Sequence, residues 1–170
     1  MAENSDFRVD IDEALTALGQ FPYSETDLRL LSPDECGNIL VTILNRFTTL
    51  GDRGLTEYCD WDSFKEPKYS VRVEHAPADL CRVVPLDEPV WFVAEDWYRN
   101  KPHDNFWLYE GKIETICNLL NEMYEFRYYV VSKTYDWLIS ENPQDCLIGV
   151  GSSIVEKMQY LVSIGELWAL

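Results

Sequence analysis

The chain has 170 residues, 46% of them hydrophobic and 14% aromatic, and its 30 acidic and 14 basic side chains give a net charge of −16. This length and apolar content are enough for a packed core and exclude a disordered chain. No window approaches the roughly 18 unbroken apolar residues of a membrane helix, and the acidic start does not resemble a signal peptide, so we expect a cytoplasmic protein.

Two helices are predicted in the N-terminal part, over residues 8–19 and 33–47. The second has the clearest start, because Ser32 can cap it, Pro33 takes the first helical position and Glu35 completes a capping box. Apolar residues then recur at helical spacing as far as residue 47. Residues 55–68 have no clear period and are predicted to form a loop with at most one helical turn.

The rest of the chain reads as strands with two further helices. Short connections such as "SKTY" join neighbouring strands, and a connection this short requires them to be antiparallel. The predicted strands are 69–74, 80–84, 90–96, 106–110, 127–131, 135–140 and 146–150, and the helices are 112–126 and 152–163. The sequence therefore predicts an α+β fold with one mainly antiparallel sheet and helices packed on it.

We expect a single domain over residues 1–170, with a helical part at about 1–54 and a sheet-rich part at about 69–170. The five cysteines are odd in number and widely spaced, without a CxxC pair, which is typical of reduced core thiols rather than disulfides or a zinc site. They are Cys36, Cys59, Cys81, Cys117 and Cys146. No phosphate-binding loop or other cofactor motif is present, so no cofactor is predicted.

The charge predicts the sign of any charged partner. Binding to nucleic acid or to an anionic membrane needs Lys and Arg to displace counterions, so both are disfavoured. A basic protein partner would instead be attracted. The alternative is that the acidic residues only keep the protein soluble.

Two acid-flanked tryptophans are the predicted contacts with such a partner. Trp61 lies between Asp60 and Asp62, and Trp97 follows Glu95 and Asp96. Tryptophan is a preferred interface anchor, and the acids would pair with Lys or Arg of the partner. The alternative interpretation is that these tryptophans belong to the core.

The candidate catalytic or metal site uses some of the same residues. Glu95, Asp96, His103 and Asp104 could act as acid and base or bind a metal. However, adjacent residues on a strand point to opposite faces, so Glu95 and Asp96 cannot both face one ion there. A solvated loop is the alternative interpretation.

A further aromatic and acidic group surrounds Trp137, with Tyr135 and Asp136 before it and Glu141 and Asn142 after it. A site here would be an aromatic wall rimmed by acid. The alternation along the strand favours sheet scaffold, and Asn142 precedes a proline as residues that start turns do.

The segments "VWFVAEDW", "FWLYEGKIETI" and "YYVVSKTYDWLISENPQDCLIG" resemble a family of small uncharacterised bacterial proteins over residues 88–151. That resemblance implies no activity. In size, acidity and layout the chain is also similar to immunity proteins of bacterial polymorphic-toxin systems.

The leading hypothesis is therefore a non-enzymatic acidic binding protein, an immunity protein that blocks a basic toxin by occlusion. One alternative is a small metal-dependent or acid/base hydrolase that uses the Glu95, Asp96, His103 and Asp104 cluster. Another is a regulatory module that binds a small ligand in an aromatic pocket.

Overall fold

The structure is a computed structural model that describes residues 7–19, 27–96, 105–123 and 126–170. Within these ranges the helices are α1 (Phe7–Ala17), α2 (Pro33–Phe47), α3 (Ala76–Val83), α4 (Ile113–Glu122) and α5 (Ser152–Ser163). Two short 3-10 segments, Gly51–Leu55 and Trp61–Ser63, follow α2. No helix in the described ranges is long and apolar enough to cross a membrane.

The strands of the described residues form one antiparallel sheet, in the order β1-β4-β3-β5-β6-β7-β2-β8. Their bounds are β1 (Leu28–Leu30), β2 (Lys68–Arg72), β3 (Pro89–Glu95), β4 (Phe106–Lys112), β5 (Tyr128–Ser132), β6 (Leu138–Asn142), β7 (Cys146–Val150) and β8 (Trp168–Ala169). The predicted α+β fold with helices packed on an antiparallel sheet is confirmed.

The sheet is covered on both faces. On one face α1, α3, α4 and α5 bury side chains such as Leu80, Ile116 and Met158 against the sheet. On the other face α2 buries Ile43 and Phe47. This double cover explains why the central strands are apolar at consecutive positions instead of alternating between apolar and polar residues.

The start of α2 is formed as the sequence predicts. The backbone N–H of Ser32 donates to the Glu35 carboxylate at 3.0 Å, and the helix begins at Pro33. Glu35 is exposed, and its pKa is held below the ordinary value by this backbone hydrogen bond and by those from the Ser32 hydroxyl and Arg29. Local chemistry alone therefore fixes this boundary.

Three predicted details were wrong. Residues 80–84 belong mostly to α3 and not to a strand, because Pro77 opens a helix whose face of Ala76, Leu80 and Val83 is buried. Strand β6 begins at residue 138 instead of 135, since Tyr135 adopts a φ of 57° in the turn. The short strands β1 and β8 had no counterpart among the predicted elements.

All five cysteines are free. Cys59, Cys117 and Cys146 are buried, whereas Cys36 and Cys81 are half-buried. Burial raises the pKa of the Cys117 and Cys59 thiols, so both are held as neutral apolar groups. This agrees with the predicted core thiols.

Candidate ligand pocket

A cavity of about 450 Å³ lies at the end of the sheet where β5 begins and β6 ends. The segment before Trp61, the start of α3, the end of α4 and the turn after β6 enclose it. Its volume falls in the range of small-molecule sites, which also combine an apolar lining with a few polar groups. The aromatic residues of the lining are Tyr58, Trp61, Phe126 and Tyr128.

Arg127 belongs to this lining and forms an ion pair with a residue of the neighbouring strand. The backbone N–H of Glu95 donates to the Arg127 carbonyl at 2.9 Å, which makes the two residues cross-strand neighbours. Their side chains are 3.4 Å apart from Nε to Oε1, and they are only 8% and 1% exposed. The Tyr129 hydroxyl also donates to Glu95. Burial, together with the Glu95 charge, raises the pKa of Tyr129, so this hydroxyl stays a donor at neutral pH.

The Arg127 guanidinium lies against aromatic rings. Its central carbon is 4.4 Å from the centre of the Tyr58 ring and 4.7 Å from that of Trp61, distances at which the π-systems attract a cation. These contacts hold the planar group in place without using its N–H donors.

The guanidinium nitrogens of Arg127 nevertheless have no hydrogen-bond partner within the described part of the chain. This is true of Nε, Nη1 and Nη2, all three of which are buried. A buried polar group that makes no hydrogen bond costs about 1–3 kcal/mol, and more when it is charged. Arginine carries five N–H donors in a planar fork that matches a carboxylate, so the arrangement is suited to receive an acceptor group.

Glu141, at the end of β6, forms the opposite side of the pocket. Its carboxylate accepts a hydrogen bond from the Tyr128 hydroxyl at 3.0 Å, and its backbone carbonyl accepts one from Trp61 Nε1 at 3.2 Å. Burial and the Glu141 charge raise the pKa of Tyr128, which keeps that hydroxyl protonated. The Asn142 side chain accepts from the backbone N–H groups of Gln144 and Cys146, which fixes the following turn.

The predicted triplet around Trp61 lies at the edge of this pocket. Trp61 is half-buried, while Asp60 and Asp62 are exposed. Asp60 also has a local structural role, since its side chain accepts a hydrogen bond from the Ser63 backbone N–H at 3.1 Å. The role of these three residues in binding a partner stays a prediction.

The direct contact of Glu95 and Asp96 with a partner stays a prediction, and the structure places both residues inside the protein. Both are buried, at 5% and 3% exposed, because β3 continues through residue 95 between β4 and β5. Glu95 pairs with this chain's own Arg127, and Asp96 accepts a hydrogen bond from Trp107 Nε1 at 3.3 Å. Arg127 and Trp107 lie on opposite faces of the sheet. The side chains of Glu95 and Asp96 therefore point to opposite faces, as expected for adjacent residues of a strand.

The other predicted site residues, Trp97, His103 and Asp104, lie outside the described residues. Within the described part of the chain, no group of three or more His, Cys, Asp and Glu side chains is placed to hold a metal ion. The alternative of a hydrolase at this cluster therefore gains no geometric support from its two described members, Glu95 and Asp96.

Arg127 is the site residue that the sequence analysis missed. It is the first residue of the apolar segment "RYYVV", and two acids are the last residues of "VWFVAED". Antiparallel pairing of these two segments brings the start of one beside the end of the other. That arrangement is the signal that could have indicated the Arg127–Glu95 pair.

Among the comparisons with known proteins, the one with family models found a match. No match was found among curated proteins or among solved structures. The family match covers residues 3–162, which includes the N-terminal third, where the sequence analysis had found no resemblance. The chain belongs to a family of unknown function, DUF6756.

Proposed function

We propose that the chain is a non-enzymatic binding protein that takes up a small ligand with a hydrogen-bond acceptor group, such as a carboxylate. The observation that supports this most strongly is the buried guanidinium of Arg127 beside a cavity of about 450 Å³, because its nitrogens lack hydrogen-bond partners among the residues that the structure describes. A carboxylate would accept two parallel N–H bonds from Nη1 and Nη2. The apolar part of the ligand would contact the aromatic lining.

Tyr58 controls access to Arg127 in this proposal. Its ring covers the guanidinium at 4.4 Å, and the residue as a whole is 57% exposed. It lies between the two 3-10 segments, outside any helix or strand. Because the guanidinium nitrogens are enclosed, the ligand reaches them when the Tyr58 ring moves aside.

The test is stabilisation by a simple aromatic carboxylate, 3-phenylpropionate, measured by thermal unfolding. At ten times its dissociation constant a ligand adds about 1.4 kcal/mol. For a chain of this size, that raises Tm by roughly 3 to 6 °C. We expect this shift in the natural protein and its loss in the double variant Arg127→Met/Glu95→Gln, which removes both charges of the pair.

The matched control is Arg53→Met, which removes an arginine that is 64% exposed and does not line the pocket. This variant should keep the full shift. Equal shifts in the natural protein and the double variant, or no shift in either at millimolar ligand, would contradict the proposal.

A second proposal follows from the charge: a bacterial, cytoplasmic immunity protein that blocks a basic toxin by occlusion. It is supported by the net charge of −16 and by the exposed Asp60 and Asp62 beside the half-buried Trp61. Opposite charges speed association, and they do so most at low salt.

The test of the second proposal begins with the neighbouring genes, among which a toxin gene is expected. The toxin it encodes should be basic and should be neutralised by this chain. The double variant Asp60→Asn/Asp62→Asn should slow association with that toxin at low salt. Asparagine is chosen at position 60 because its side-chain oxygen can still accept the hydrogen bond from Ser63. The absence of any basic partner, or unchanged association, would count against it.

A further inference from the structure

The pocket that holds Arg127 also carries an excess of negative charge. Glu74, Glu141 and Asp145 belong to its lining, and Glu95 lies against the guanidinium. Glu74 and Asp145 are exposed, whereas Glu141 is half-buried. A simple anion would gain hydrogen bonds from Arg127 but would also be repelled by these carboxylates.

A ligand that also carries a cationic group avoids this conflict. Its ammonium group would be attracted to the same carboxylates that repel an anion, and Glu141 is the one held deepest in the lining. A carboxylate has about four acceptor positions on its two oxygens, so Glu141 can accept from an ammonium group in addition to the Tyr128 hydroxyl and its other contacts within the chain. The charges of the pocket are therefore complementary to a zwitterion.

The Arg127 guanidinium and the Glu141 carboxylate lie on opposite faces of the end of the sheet. Arg127 lies 4.7 Å from Trp61, which packs with the core on the α2 face, and Trp61 Nε1 donates to the backbone carbonyl of Glu141 at 3.2 Å. The Glu141 carboxylate accepts instead from Tyr128, which packs in the core on the other face. A ligand that contacts both side chains must therefore extend past the end of the sheet, which a short peptide does more readily than a single amino acid.

We infer that the ligand is a zwitterion of short-peptide size, an inference that rests on the proposed small-ligand function. Its carboxylate is held by Arg127 and its ammonium group by Glu141. Its apolar side chains contact the aromatic lining. The guanidinium N–H groups, which make no hydrogen bond to the described residues, assign the anionic end, and the acids of the lining assign the cationic end.

The experiment compares three probes by calorimetric titration of the full chain: leucyl-phenylalanine, its N-acetyl form and its C-terminal amide. Acetylation removes the ammonium charge, and amidation removes the carboxylate charge. We expect each to weaken binding about tenfold or more, the loss expected for a hydrogen bond to a charged group. Glu141→Gln should remove most of the preference for the free amine, whereas Glu156→Gln, on the exposed side of α5, should leave that preference unchanged.

The outcomes separate this inference from the function on which it rests. If the free and the N-acetyl peptide bind equally, the zwitterion is wrong, while a carboxylate site at Arg127 stands. If the C-terminal amide binds as well as the free peptide, then Arg127 does not bind the ligand carboxylate, and both the inference and the proposed function are wrong. Binding of 3-phenylpropionate without any binding of the three peptides overturns the inference alone.

Discussion

Replacing Arg127 by methionine should destabilise the protein strongly, even though this arginine makes no side-chain hydrogen bond in the described ranges. The reason is Glu95, which is 1% exposed and 3.4 Å from Arg127 Nε. At that distance and an effective dielectric constant of about 20, the attraction is about 5 kcal/mol. Arg127→Met leaves a buried carboxylate without its cation, a change that typically costs about 3–5 kcal/mol.

The second substitution, Glu95→Gln, should restore most of this loss. The amide oxygen of glutamine can still accept the hydrogen bond from the Tyr129 hydroxyl, and neither charge of the pair is left alone in the interior. Replacing both members of a buried ion pair is often neutral or stabilising. We therefore expect Arg127→Met/Glu95→Gln to be within about 1 kcal/mol of the natural protein, or more stable than it.

Urea unfolding at pH 7, followed by tryptophan fluorescence, gives the free energies of unfolding for the four members of this cycle. A strong coupling energy between the two positions is expected. If Arg127→Met is neutral by itself, or if the two effects simply add, then the pair is not a buried ion pair, and the proposed anchor is wrong.

Two further predictions concern stability away from the pocket. Hydrogen bonds from Lys133 and then Arg29 hold the pKa of Glu110 below its ordinary value. The contribution of Glu110 to the stability of the folded protein is therefore present above about pH 4.3 and is lost as pH falls through the lowered pKa. Glu110→Gln should thus cost about 1 kcal/mol at pH 7, after allowance for its exposure, and nothing at low pH. Free energies of unfolding measured from pH 7 to pH 3 check this. A difference between the natural protein and Glu110→Gln that stays constant over this range would contradict it. Gly151→Ala should cost roughly 2–4 kcal/mol, since Gly151 has a φ of 106° and a Cβ there would lie 2.3 Å from a backbone carbonyl oxygen. Gly37→Ala, in an exposed turn of α2 with nothing within 4 Å, should instead stabilise by about 0.5–1 kcal/mol. Similar effects of the two glycine substitutions in thermal unfolding would refute the geometric argument.

The elements that the sequence predicts well are those with local signals. The capping box at Ser32 and Glu35 locates α2, and the apolar run that ends at Ala94 locates a central strand. Residues 80–84 have no such signal, because a short apolar run with valines suits a strand or a buried helix equally. The packing of α3 against α4 and α5 decides between them.

The pocket could be predicted only in part for the same reason. Trp61 is singled out by the acids on both sides of it, and Glu141 by its place beside a turn. Arg127 and Glu95 are brought together by strand pairing, which depends on the register of β3 and β5 and is not a local property. The carboxylates at the end of β3 therefore look like surface charges in the sequence, although the fold buries them.

The most direct test of the account is a crystal structure of the protein with 3-phenylpropionate bound. We predict carboxylate oxygens at about 2.7–3.0 Å from Nη1 and Nη2 of Arg127, with the Tyr58 ring displaced. A ligand bound elsewhere, with Tyr58 still closed over Arg127 and no ligand atom in contact with the guanidinium, would contradict this proposal.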